Sequence, residues 1–142
     1  MSIEILNRQR RHKINVRKWR EFAERALRAI GADTRDVTIV FVTDAAIRKL
    51  NRQFRGRDYA TDVLSFPSVA EEFETENKAN LGEIVISAQR AAAQAKQNGL
   101  SLSNEIQQLI LHGLLHLCGY DHETDKGEMN RLELRLRKRL GV

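Results

Sequence analysis

Ser103 to His122 reads Ser-Asn-Glu-Ile-Gln-Gln-Leu-Ile-Leu-His-Gly-Leu-Leu-His-Leu-Cys-Gly-Tyr-Asp-His, and the fold turns on this stretch. Its spacing predicts a helix from an N-cap at Ser103 to about Cys118, ended by Gly119. At 100° per residue, Leu102, Ile106, Leu109, Ile110, Gly113, Leu114 and Leu117 make one broad apolar face, with Leu111 and Leu115 on the far side. A helix that is apolar nearly all round belongs at the centre of a fold. The one polar stripe it keeps is Glu105, Gln108, His112 and His116, and polar groups buried there need partners.

His112 and His116 are four residues apart, so their imidazoles leave one helix face within reach of a shared ion. Gly119 breaks the helix, and the turn through Tyr120 and Asp121 can bring His122 back as a third ligand. Three of the chain's four histidines thus fall within eleven residues. Three imidazoles leave a fourth tetrahedral position for water, the arrangement of a catalytic zinc rather than a structural one. One Zn2+ per chain, held by His112, His116 and His122, is therefore expected; imidazole ligands also suit copper or nickel better than hard cations. Peptidases of the zincin type carry His-Glu-x-x-His, where the Glu is the general base. Here that position is Gly113, which cannot move a proton and whose missing side chain admits close packing or substrate. Water must then be activated by the metal alone or by a carboxylate from elsewhere. Asp121 is the nearest candidate, with orientation of a metal-bound histidine as its other possible role. Cys118 points away from both histidines and reads as a buried, inert thiol.

The remainder of the chain fits this centre. Its 142 residues are the size of one domain, and 42% hydrophobic residues supply one core. Residues 1–142 are read as a single metal-dependent hydrolase domain. A lone cysteine excludes an internal disulfide, and the absence of a signal-like N-terminus or an apolar run of eighteen makes the cytoplasm the expected location. The formal charge is +5 and uneven: residues 1–30 hold nine Lys/Arg against three Glu, whereas residues 61–100 hold three against six acids. A basic N-terminal third suits a polyanion, since each cation near a phosphate releases counterions.

Periodicity places a short strand at Ile3–Asn7 and a helix at Val16–Ile30 followed by Gly31. A β-branched strand follows at Val37–Val42, then a helix capped by Thr43 or Asp44. Further strands are expected at Thr61–Phe66 and Gly82–Ser87, with an acidic loop at 68–80 between them. Helices at Ala88–Gln97 and Asp125–Leu140 complete the pattern of four strands and about five helices. The run Arg135, Arg137, Lys138, Arg139 complements a helix dipole and is given no further role.

Between these elements, Leu50 to Pro67 reads Leu-Asn-Arg-Gln-Phe-Arg-Gly-Arg-Asp-Tyr-Ala-Thr-Asp-Val-Leu-Ser-Phe-Pro. A helix end and a glycine turn here present Arg55 and Arg57, whose guanidinium forks suit phosphate. Taken together, Asn51–Pro67, Leu81–Ser87 (LGEIVIS) and His112–His122 (HGLLHLCGYDH) closely resemble the YbeY family of bacterial endoribonucleases and rRNA maturation factors. The resemblance runs through nearly the whole chain in order. It implies an α+β, zincin-like fold with a mixed, mainly parallel sheet, in which the central helix 103–118 carries two metal ligands. It also implies a metal-dependent, single-strand-specific endoribonuclease acting in rRNA maturation, including the 3′ end of small-subunit rRNA, and in ribosome quality control. The family's zinc histidines fall on His112, His116 and His122, and its functional arginine on Arg55. Arg55 and His112 are the residues assigned to catalysis. Implied partners are single-stranded RNA, the small ribosomal subunit and assembly factors, with no membrane or DNA. Single-strand preference requires bases to stack on aromatics; Phe54, Tyr59 and Tyr120 are the candidates, although packing in the core or in turns is the plainer expectation for each. Two other readings remain: a zincin-like peptidase, and a non-catalytic assembly factor braced by structural zinc.

Overall fold

The structure, a computed structural model, describes residues 2–68, 80–121 and 124–142. Among them, β1 (Ile3–Asn7), α1 (Val16–Ile30), β2 (Asp36–Val42), α2 (Asp44–Arg55), β3 (Val63–Pro67), β4 (Asn80–Ser87), α3 (Ala88–Gln97), α4 (Leu102–Leu117) and α5 (Glu128–Leu140) follow in order. The strands form one sheet in the order β1-β2-β4-β3. β1, β2 and β4 run parallel, and β3 pairs antiparallel with β4 at the edge. The fold is α+β with a mixed, mainly parallel four-stranded sheet, as expected.

The two faces of the central strands bury different partners, because side chains alternate along a strand. Val37, Ile39 and Phe41 of β2, with Ile84 and Ile86 of β4, join the large core built by α1, α4 and α5. Val40, Val42 and Val85 face the other way, against Leu64 and the fully buried Ile47 of α2. Near-continuous burial of β2 and β4 explains why both read as β-branched runs rather than as clean alternation.

Several boundaries differ from expectation for local reasons. Helix α4 starts at Leu102 and its cap is Ser101, whose Oγ accepts from the Asn104 N–H at 3.0 Å. Ser103 lies inside the helix and receives the Lys18 ammonium instead. Helix α5 begins at Glu128 rather than Asp125, because the Asp125 carboxylate accepts from the Gly127 and Met129 N–H groups, both at 2.8 Å. Strand β3 begins at Val63, since the Asp62 side chain turns back onto the Val63 N–H at 2.9 Å. Pro67 closes the strand without disruption, as an edge position tolerates a missing donor. The acidic loop expected at 68–80 lies almost wholly outside the described residues.

Helix α4 packs directly on the sheet at Gly113. A Cβ there would meet Ile84 Cδ1 at 2.9 Å and Cγ2 at 3.0 Å. The absent side chain therefore serves packing. No helix among the described residues is long and apolar enough to cross a membrane.

Candidate metal centre and active site

Helix α4 presents His112 and His116 one turn apart at the surface of the core, while Leu111, Gly113, Leu114 and Leu115 between and beside them are buried. The two rings meet edge to face, with centroids 4.7 Å apart, and their Nε2 atoms lie 3.1 Å from each other. Two nitrogens bound to one tetrahedral ion at about 2.0–2.1 Å sit about 3.3 Å apart. The observed separation is close to that, so the pair fits a zinc-sized ion.

Behind His112 stands a residue that the sequence reading passed over. Glu133 of α5 is 7% exposed, and its Oε1 lies 2.9 Å from His112 Nδ1. Burial alone would push this carboxyl up. The hydrogen bond from His112 and the charges of His112, Arg137 and His116 outweigh it and hold Glu133 below the ordinary carboxylate range. An ionised carboxylate only accepts, so Nδ1 of His112 carries the proton, and in the neutral ring the lone pair then falls on Nε2. Arg137, assigned only to the helix dipole from sequence, approaches the same Glu133 oxygen at 3.7 Å. Spacing holds only a partial signal for Glu133: it shares a helix stripe with Met129 and Leu136, and its burial there follows from how α5 meets α4.

The histidines open into a cavity of about 610 Å³ whose lining includes Arg55, Asp62, Tyr59, Tyr120 and Asp121. Arg55 ends α2, and Gly56 then takes the left-handed conformation at φ 66°. From that position Arg55 Nη2 donates to the Ser65 carbonyl of β3 at 3.1 Å. The loop beyond is pinned at two points. Asn51, 2% exposed, donates from Nδ2 to the Tyr59 carbonyl at 3.0 Å. Arg48 grips Asp58 through Nε at 2.9 Å and Nη2 at 3.3 Å, and that bond holds the Asp58 carboxyl below its usual value.

Asp62, in the same wall, is tied down by hydrogen bonds. Its Oδ1 accepts from the Thr61 hydroxyl and the Val63 N–H. With its amide turned to face two acceptors, Gln94 donates to Asp62 Oδ2 at 3.0 Å and to Glu105 Oε1 at 3.1 Å. Burial, then the Asp62 charge, raises the Glu105 carboxyl against the opposing pull of Arg137.

The structure thus brings His112, His116, Arg55 and Asp121 to one cavity. His122 lies outside the described residues. Glu133 is the carboxylate that orients His112. Cys118 sits at the C-cap of α4, half-buried, with burial pushing its thiol up against the pull of Arg35. The basic N-terminal segment follows β1, the strand at the opposite edge of the sheet from β3. Tyr59, Tyr120 and Phe54 are 52%, 36% and 58% exposed, not packed in the core.

A family model described as Endoribonuclease YbeY matches residues 4–141. The chain is 40% identical over 139 residues to the endoribonuclease YbeY of Geobacter metallireducens, covering 97% of this chain and 93% of that one. It is 46% identical over 121 residues to that of Solibacter usitatus (85% and 76% covered) and 49% identical over 107 residues to that of Helicobacter pylori (75% and 73%). The solution structure of TM1509 from Thermotoga maritima superposes with a TM-score of 0.65 at 26% identity, covering 97% of this chain and 88% of that one.

Proposed function

The chain belongs to the YbeY endoribonuclease family, and from that premise we propose that it is a zinc-dependent endoribonuclease of single-stranded RNA acting in rRNA maturation, the small-subunit 3′ end included, and in ribosome quality control. The observation that carries the metal reading is the His112–His116 pair, with Nε2 atoms 3.1 Å apart and His112 oriented by buried Glu133. His122 is the third proposed ligand, on the spacing of the sequence, and the helix with its two ligands is the zincin-like element. A zinc ion bound there would supply polarisation of a phosphate oxygen or of a water.

The chain's own residues do the rest. Glu133 fixes the tautomer of His112 and assigns the ligating role to its Nε2. Arg55 faces the same cavity with a charge it cannot lose, and stabilises negative charge developing at phosphorus by electrostatics rather than proton transfer. Its contact with the Ser65 carbonyl gives the guanidinium a defined resting place from which one nitrogen fork remains for phosphate. The rRNA precursor, the small ribosomal subunit and its assembly factors are the proposed partners.

Two observations weigh against peptide as substrate. At 113, the Cβ of the glutamate that such an enzyme would use as base meets Ile84 at 2.9 Å and requires it to shift. Extended peptides add to a free strand edge, and on the outer edge of β3 the Val63 N–H is taken by Asp62, the Ser65 carbonyl by Arg55, and Pro67 has no donor.

The test is chelation. Zinc-loaded protein is expected to cut a labelled single-stranded RNA and to leave the duplex of the same sequence intact. Chelator should abolish the cutting and added zinc restore it. Binding of the RNA without cutting at any metal level would move the assembly-factor reading ahead.

A further inference from the structure

Both tyrosines of the chain, Tyr59 and Tyr120, line the cavity that holds His112 and His116. They come from different elements: Tyr59 from the loop after α2, Tyr120 from the turn that ends α4. At each the backbone is fixed while the ring stays open. The Tyr59 carbonyl is held by buried Asn51, and the Tyr120 N–H donates to the Leu115 carbonyl at 3.1 Å as Gly119 turns the chain. The two residues nevertheless remain 52% and 36% exposed. The Tyr59 hydroxyl accepts from Arg57 Nη1 at 3.3 Å, which places a cation beside the ring's polar tip. Phe54, although 58% exposed, packs edge to face on Phe66 and is not part of the cavity wall.

A large ring held out on a rigid anchor loses little entropy on meeting a flat partner. The flat partners available in single-stranded RNA are unpaired bases, whose faces a duplex would hide. We propose that Tyr59 and Tyr120 form the stacking platform that seats unpaired bases next to the scissile phosphate, and that this platform sets the preference for single strands. The proposal rests on the RNA reading above and deepens it by naming what recognises the strand. Arg55 and Arg57, in the same wall, supply the charge that a strand passing between the rings requires.

The test pairs ring removal with base removal. KM and kcat are measured for the zinc-loaded parent, Tyr59→Ala, Tyr120→Ala, Tyr59→Phe and Tyr120→Phe. The substrates are one single-stranded RNA and a set of abasic versions lacking one base near the cut. Ring removal is expected to raise KM about 5- to 150-fold, as for loss of one stacked base. Phe variants should stay within about 2-fold of the parent, since the ring is kept. In the parent, base removal at one or two positions should raise KM similarly, and in the matching Ala variant the same removal should add little. Leu134→Ala, an exposed residue on α5, serves as the control and should match the parent. Zinc content, measured in parallel, should be unchanged in every variant. Ala variants that bind like the parent, Phe variants that lose as much as Ala, or equal base dependence with and without the ring would each overturn the platform. A parent that neither binds nor cuts any of these RNAs would instead overturn the ribonuclease reading itself.

Discussion

Glu133 and His112, twenty-one residues apart in sequence and on different helices, are joined by a 2.9 Å hydrogen bond that decides which nitrogen of His112 faces the cavity. That bond couples the packing of α5 on α4 to the chemistry of the site. Glu133→Ala is expected to weaken zinc binding about 10- to 100-fold, the usual scale for removing such a partner. Glu133→Gln, which keeps an acceptor but not the charge, should fall between. A competitive chelator titration reads both. Affinities equal to the parent's would show that Glu133 only packs.

Arg55 is expected to act on the reaction and not on the metal. Arg55→Ala should lower kcat about 10²- to 10³-fold, in the range seen when one donor to a developing charge is removed. Zinc content should not change. Arg55→Lys should recover only part of the rate, because an ammonium lacks the fork. Steady-state kinetics on labelled RNA, with elemental analysis of the same samples, separates the two effects.

Gly113 is expected to be a packing residue. In an exposed helix Gly→Ala stabilises by about 1 kcal/mol. Here the added Cβ would press on the fully buried Ile84 at 2.9 Å, so Gly113→Ala should instead destabilise by about 1–3 kcal/mol. Urea unfolding of the two proteins measures the difference. Stabilisation by Ala would mean that the helix can move off the sheet. Gly113→Glu, which restores the peptidase motif, should fail to fold rather than gain peptidase activity.

Glu105 gives a pH dependence whose sign is fixed. Its folded pKa is raised, by burial first and then by Asp62. For an acid shifted upward the stabilising form is the neutral one. Its contribution is complete below the unfolded value of about 4.5 and is lost as pH rises through the higher folded value. Glu105→Gln carries no such loss and can still accept from Gln94. The stability of the Gln variant relative to the parent should therefore increase from pH 4 toward pH 7 in urea unfolding. A difference constant with pH would contradict this account.

Much of this architecture was legible in sequence because it follows from periodicity. The apolar wrap of α4 announced its central place, and the four-residue spacing of His112 and His116 announced two facing imidazoles. The cap was misplaced by two residues because Ser101 and Ser103 both offer a hydroxyl at a helix start, and only the path of the chain chooses between them. Glu133 was hidden because a helix rich in Glu, Arg and Leu reads as a solvated amphipathic face; its burial depends on how α5 meets α4, which spacing alone does not give. Tyr59 and Tyr120 stood as stacking candidates with packing the plainer expectation, since exposure in a loop is set by distant anchors such as Asn51. The role of Gly113 was left open between substrate and packing, and the register of Ile84 beneath it decides for packing.

The most direct test of the central claim compares zinc-loaded parent with His116→Ala, purified identically, on one end-labelled single-stranded RNA. The account requires that the parent cut and that the variant, stripped of one of the two facing nitrogens, leave the RNA intact. If both cut equally, the activity belongs to a contaminant or to another site; if both are silent, the chain is not by itself a metal-dependent ribonuclease.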